Sequence, residues 1–123
     1  MTTNTETPTA RLGEITIPLA APASMASRYD VLAAAGTNLS RAACAALAMA
    51  WQGPGKPKTR KSHDILDYGG RVMDELCERG HAPILVMAAG ISAYHVVTAG
   101  LITDSEVDEV EGNSEAPGES TSS

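Results

Sequence analysis

"APILVMAAGISAYHVVTAGLI", residues 82–102, runs for 21 residues without a formally charged side chain. It is long enough to raise the question of a membrane span. Pro83 suits the first turn of a helix, where its missing N–H costs nothing, and Gly100 suits the stop. Between them lie 17 residues, 83–99, or about 25 Å of helix, at the lower limit for a bilayer core. His95 is costly at depth, and Gly90 weakens the helix with no gain from lipid. The rest of the chain points the same way. Three upstream segments carry apolar stripes that need a partner. This stretch supplies ten large apolar side chains: Ile84, Leu85, Val86, Met87, Ile91, Tyr94, Val96, Val97, Leu101 and Ile102. A helix apolar on most sides is what the centre of a small bundle requires. The expectation is therefore a central bundle helix. The alternative is a small single-span, holin-like membrane protein, with the bases at 56–61 inside and the acids after the span outside.

The upstream pattern is helical. Ser24 is positioned to cap a helix over 25–35, with Met25, Tyr29 and Leu32 as its apolar stripe and Gly36 as a left-handed stop. Asn38 caps a second helix over 39–51. There Leu39, Ala42, Ala43, Ala46, Leu47, Ala50 and Trp51 form the clearest amphipathic pattern in the chain. Most of that face is Ala, so it should pack tightly against another helix. "QGPGKPKTRK", 52–61, is a loop by its prolines and glycines. Ser62 or His63 begins a third helix that runs to Arg79, with Asp64 in its first turn where the helix dipole favours negative charge. Ile65, Gly69, Val72 and Leu76 make its stripe, flanked by Leu66 and Met73. Gly69 and Gly70 together cost this helix roughly 2 kcal/mol relative to Ala. A second helix passing close over that point is the compensation.

The ends read differently. Residues 1–10 are Thr-rich and expected to be mobile. In "RLGEITIPL", 11–19, Ile15-Thr16-Ile17 alternates like a strand, and Pro18 and Pro22 confine it to an edge strand or an extended arm. Thr103-Asp104-Ser105-Glu106 is a capping-box pattern that should start a short helix near 104–110. From Gly112 the composition is that of a disordered tail. The expected fold is mainly α, a small bundle of four main helices plus a short C-terminal helix. It carries a short extended or β segment near the N-terminus. It forms one domain over 11–111, between a flexible N-terminus at 1–10 and an acidic tail at 112–123.

Charge is unevenly distributed. The formal net charge is −6, but seven of the fifteen acids lie within 104–119. Residues 1–103 keep eight acids against nine bases, so the body lacks the basic field that nucleic-acid binding needs. Cys44 and Cys77 sit inside helical patterns and read as reduced residues in or near the core, without a disulfide framework. MTTNTETPTA lacks the basic start and apolar run of a signal peptide, so the chain is expected in the cytosol. With Phe absent and Ala abundant, the core is modest and self-association is expected to support it.

No catalytic, cofactor or metal constellation emerges. His63, His81 and His95 lack metal-ligand spacing, and His95 reads as a partly buried, hydrogen-bonded side chain. "GISAY" lacks a nucleophile elbow, and "GPGK" at 53–56 lacks the spacing and preceding strand of a phosphate loop. Asp64, Asp67, Asp74, Glu75 and Glu78 read as the solvated face of the third helix. Lys56, Lys58, Arg60 and Lys61 are the one basic cluster. They are either a solvated loop or an electrostatic contact for an acidic partner, including the C-terminal tail of another copy. No aromatic platform accompanies them, which argues against nucleic acid.

Three stretches taken in order, "SRYDVLAAAGTNLSRAACAALAMAW" (27–51), "ILDYGGRVMDELCERG" (65–80) and "ITDSEVDEVEGNSEAPGES" (102–120), resemble the tail assembly chaperones of long-tailed bacteriophages. A helix opening Arg-Tyr-Asp, an Ala-rich helix ending in Trp, a Pro/Gly loop, a "YG…V…L…G" helix and an acidic tail follow one another. The absence of Phe and the "KPKTRK" loop depart from that pattern. The resemblance implies a non-enzymatic protein of the host cytoplasm, absent from the mature virion. It implies binding to the tape-measure protein, assistance to polymerisation of the tail tube protein, and a longer form made by frameshifting near the C-terminus. Met25, Met49, Met73 and Met87 offer adaptable contacts for helices, in keeping with that role. A minor structural head–tail connector is a further alternative.

Overall fold

The computed structural model describes residues 7–101. Its elements run β1 (Thr9–Leu12), β2 (Ile15–Pro18), α1 (Met25–Ala35), α2 (Leu39–Ala50), α3 (Ile65–Glu78) and α4 (Pro83–Thr98). The mainly helical fold with a short N-terminal β segment is as expected. The short helix near 104–110 and the tail at 112–123 lie outside the described residues.

The β segment is a hairpin rather than a single edge strand. Its strands pair antiparallel, Ala10 opposite Ile17 and Leu12 opposite Ile15. The two-residue loop has Gly13 at φ 65°, the positive value that a hairpin turn demands of its first central residue. Thr9 and Ala10, read from sequence as part of a mobile end, are strand residues, and Ala10 is buried. β1 packs on α4. After β2 the chain docks on the end of α2: Leu19 pairs with Trp51, and the Ala20 N–H donates to the Ala50 carbonyl at 2.9 Å.

The helix caps follow the sequence closely. The Ser24 and Asn38 side chains accept from the N–H groups of Ser27 and Arg41. Asp64 lies not in the first turn of α3 but at its N-cap, where Oδ1 accepts from Leu66 and Asp67. Gly80 and Gly100 adopt the left-handed conformation beyond α3 and α4. Gly36 does not; it stays right-handed at φ −66°. The N–H groups of Thr37 and Asn38 fold back to the Ala34 carbonyl instead, closing α1 without a left-handed residue.

The central helix is α2, not α4. Ala42 through Ala48 and Ala50 are buried, and α2 packs against all three other helices. The physical reason is side-chain size. Six of the twelve residues of α2 are Ala, so it can be approached closely from several sides. Gly69 of α3 lies so close to the Arg41 backbone that a Cβ there would stand 1.8 Å from the Arg41 carbonyl oxygen. Gly90 of α4 lies on the other crossing, where a Cβ would stand 2.9 Å from the Ala43 oxygen. Gly90 is thus the counterpart of Gly69, a role that the sequence reading did not give it. Gly70 faces the Arg41 guanidinium at ordinary contact distance and is not part of the backbone crossing.

α4 buries Val86, Ala89, Gly90, Ala93 and Val97, a single stripe. Its other side remains outward, with Ile84 74 % exposed and Leu85 41 % exposed. His95 is exposed rather than partly buried, with its ring edge-on to Tyr94. α1 is also turned differently from its apparent stripe. Val31 is buried, whereas Met25 and Tyr29 are about half exposed. The orientation serves the end of α4, whose last carbonyls need donors. Arg28 donates from Nε to the Val97 carbonyl at 2.7 Å and from its terminal nitrogen to the Ala99 carbonyl, and its charge suits a helix C-terminus. The Tyr29 hydroxyl reaches the Leu101 carbonyl at 3.4 Å.

Candidate interaction surface

The loop between α2 and α3 is held at both its ends and its middle. The Trp51 indole N–H donates to the Pro54 carbonyl at 3.1 Å, and Pro57 is buried. The decisive residue is Glu75 on α3. Its carboxylate accepts from the Lys58 N–H at 2.8 Å, the Thr59 N–H at 2.9 Å and the Thr59 hydroxyl at 2.7 Å. Arg79, one turn on, pairs with the same carboxylate at 2.6 Å and donates to the Gly55 carbonyl. Partial desolvation raises the Glu75 pKa, but the hydrogen bonds from Lys58, Thr59 and Arg79 outweigh it and hold the carboxyl down at about 2.

Glu75 is therefore an anchor for the loop and not part of a merely solvated face. The i, i+4 order of acid before base, in Asp67–Arg71 and Glu75–Arg79, was the signal available in the sequence. That spacing marks the two pairs on the helix. It does not reveal that one of them grips a loop sixteen residues upstream.

The four bases divide into two roles. Lys56 and Lys58 are exposed, and their backbones serve the anchor: the Lys56 carbonyl accepts from Arg79, and the Lys58 N–H donates to Glu75. Arg60 and Lys61 line an open cleft of about 400 Å³ with Thr59, Ser62, Asp67 and Arg71. Arg71, from α3, joins them in space though not in sequence. Its Nε pairs with Asp67 at 3.0 Å in an exposed bridge, a geometry worth little in water. Lys61 also reaches across to α1, where its Nζ donates to the Ser27 hydroxyl at 3.0 Å. A second cleft beside it is lined by Asp30, Lys61, Ser62, His63 and Ile65.

Among the described residues, Arg71 and Arg79 alone form ion pairs with carboxylates. The remaining seven bases have no carboxylate partner there, and four of them, Lys56, Lys58, Arg60 and Lys61, lie in this loop. Nor do three His, Cys, Asp or Glu side chains converge on a metal-sized site among those residues. Cys44 and Cys77 are free thiols, the first buried and the second partly so. Burial, with a contribution from Cys77, pushes the Cys44 thiol up to about 11. A buried, protonated thiol of this kind is inert.

Two surfaces thus stand out: the cationic loop, and the uncharged outer side of α4. No family model, no curated protein and no solved structure matches the chain.

Proposed function

We propose that this chain is a non-enzymatic tail assembly chaperone of a long-tailed bacteriophage, which binds the tape-measure protein and assists assembly of the tail tube. The observation that carries the reading is the outer side of α4. Sixteen residues of helix contain no formally charged side chain, and one side of them faces outward. Ile84, Leu85 and Ala88 are exposed there, with Met87, Ile91 and Tyr94 half-buried beside them. Such a strip fits an apolar face of a partner helix, read at i, i+3, i+4 and i+7. Long apolar helices awaiting assembly are what a tape-measure protein presents. On this reading the protein works in the host cytoplasm, self-associates and leaves before the virion is complete.

Among the described residues no helix is long and apolar enough to cross a membrane, which weighs against the single-span alternative. The test is co-expression of the tagged chain with the tape-measure protein encoded by the same phage. A complex is expected, and Ile84→Glu with Leu85→Glu should abolish it while leaving the melting temperature unchanged. Failure to form the complex, or stoichiometric presence of the chain in purified particles, would reject the chaperone reading.

A further inference from the structure

Surface loops are ordinarily mobile, but residues 58–62 are pinned by three separate contacts. The Lys58 and Thr59 N–H groups are held by Glu75 of α3 at 2.8 and 2.9 Å. The Lys61 ammonium donates to the Ser27 hydroxyl of α1 at 3.0 Å. The Ser62 hydroxyl oxygen accepts the Asp64 N–H at 3.0 Å, which leaves its own proton free to donate elsewhere. Arg60 lies between these anchors, exposed and without an ion pair among the described residues. α3 contributes Asp67 and Arg71 to the same cleft of about 400 Å³. The cleft thus gathers three bases, Arg60, Lys61 and Arg71, and one carboxylate, an excess of two positive charges. Asp67 is paired with Arg71 in an exposed bridge that costs little to open. Of the other acids nearby, Asp64 is committed to its helix cap, and Asp30 lines the adjoining cleft with His63. Two guanidiniums, an ammonium and a hydroxyl proton are all donors, so the matching ligand is rich in acceptors. A carboxylate brings two oxygens and one charge. A phosphate monoester brings three acceptor oxygens and close to two charges at neutral pH. Among the described residues no aromatic ring lines the cleft, so the phosphoryl group itself is what it can recognise.

We propose that the cleft of Arg60, Lys61, Ser62 and Arg71 is a binding site for a phosphate monoester dianion, free or carried on a side chain of a partner. The Arg60 and Arg71 guanidiniums donate paired hydrogen bonds to its oxygens, and the Lys61 ammonium adds a point charge. Because the loop is already ordered, binding costs little conformational entropy. Lys56 of the "GPGK" segment lies outside the cleft and plays no part. The inference is independent of the chaperone reading, since it rests on this cleft alone.

Titration of the full chain with inorganic phosphate at constant ionic strength, followed by amide NMR, should give saturable shifts at 59–62 and 67–71. Acetate at the same ionic strength should give none there. Arg60→Gln with Arg71→Gln should weaken phosphate binding by about tenfold or more while the melting temperature stays unchanged. Arg11→Gln, on β1, should leave binding intact. A phosphoserine peptide that binds more tightly than inorganic phosphate identifies a protein side chain as the carrier, and equal binding identifies a free ester; both support the site. Shifts that fail to saturate, equal shifts with acetate, or undiminished affinity in the double variant would overturn the proposal. Tighter binding of a single-stranded oligonucleotide, whose diesters carry one charge each, would overturn it in favour of a nucleic-acid surface.

Discussion

Gly69 and Gly70 are neighbours in one helix, yet substitution to Ala should move stability in opposite directions. Each change gains about 0.8–1 kcal/mol of helix propensity. At Gly70 the new methyl meets only the Arg41 guanidinium, at 3.4 Å, the far end of a flexible side chain. Most of the propensity gain is kept, so Gly70→Ala should stabilise by about 0.5–1 kcal/mol. At Gly69 the methyl lands 1.8 Å from the Arg41 carbonyl oxygen and 2.7 Å from its carbon. Ordinary contact begins near 3.4 Å, so α2 and α3 must part by about 1.6 Å at their crossing. Backbone cannot rotate away as a side chain can. A gap of even 0.5–1 Å forfeits a quarter to a half of the dispersion energy of the atoms that face it. Overpacking of this kind costs about 1–3 kcal/mol, or more where backbone must move. With the overpacking at the upper end of that range and the propensity gain subtracted, Gly69→Ala should destabilise by about 1–2 kcal/mol. Gly90→Ala, which puts its methyl about 0.5 Å inside contact distance of the Ala43 oxygen, should fall between the two. Thermal and urea unfolding monitored by circular dichroism measure all three variants. At about 4–8 °C per kcal/mol, Gly69→Ala should lower the midpoint by roughly 5–15 °C while Gly70→Ala raises it. Equal effects at 69 and 70, or a stabilised Gly69→Ala, would refute the crossing.

Three further outcomes follow from the loop anchor and the core. Glu75→Ala removes the acceptor shared by Lys58, Thr59 and Arg79 and should cost about 1.5–3 kcal/mol; amide exchange at Lys58 and Thr59 should quicken well before that of α3, and unchanged exchange would contradict the anchor. The Glu75 carboxyl is held at about 2, below its ordinary 4.5, so its contribution is complete above pH 4.5 and lost as the pH falls through 2. Urea midpoints measured between pH 5 and 2 should fall less steeply in Glu75→Gln than in the wild type, and parallel curves would refute the shift. Cys77 should react with a thiol reagent under native conditions while Cys44, buried with its thiol pushed up to about 11, reacts only as the protein unfolds; equal rates would show that Cys44 is open to solvent.

The sequence by itself determined the helices and their caps. Ser24, Asn38 and Pro83 mark starts, and Gly80 and Gly100 mark stops, because capping is local chemistry between residues a few positions apart. The α3 stripe of Ile65, Gly69, Val72 and Leu76 was equally legible, since one buried face on a polar helix leaves an unambiguous period. What local signals do not carry is the arrangement of helices. The most hydrophobic segment, 83–99, pointed to the centre, yet α2 took that place because Ala lets backbones approach on several sides. Hydrophobicity measures how much a helix gains by burial, and side-chain size decides how many neighbours can reach it. The α1 stripe failed for a related reason: Arg28 had to meet the carbonyls at the end of α4 about seventy residues away, and that demand turned Met25 and Tyr29 outward. Glu75 likewise looked like surface charge until the fold brought the loop to it. Arg71 joins Arg60 and Lys61 only in three dimensions. A partner distant in sequence leaves no periodic trace, so the caps and the close approach at Gly69 could be read from the chain, while the crossing at Gly90, the loop anchor and the cleft lined by Arg60, Lys61 and Arg71 were decided by tertiary structure alone.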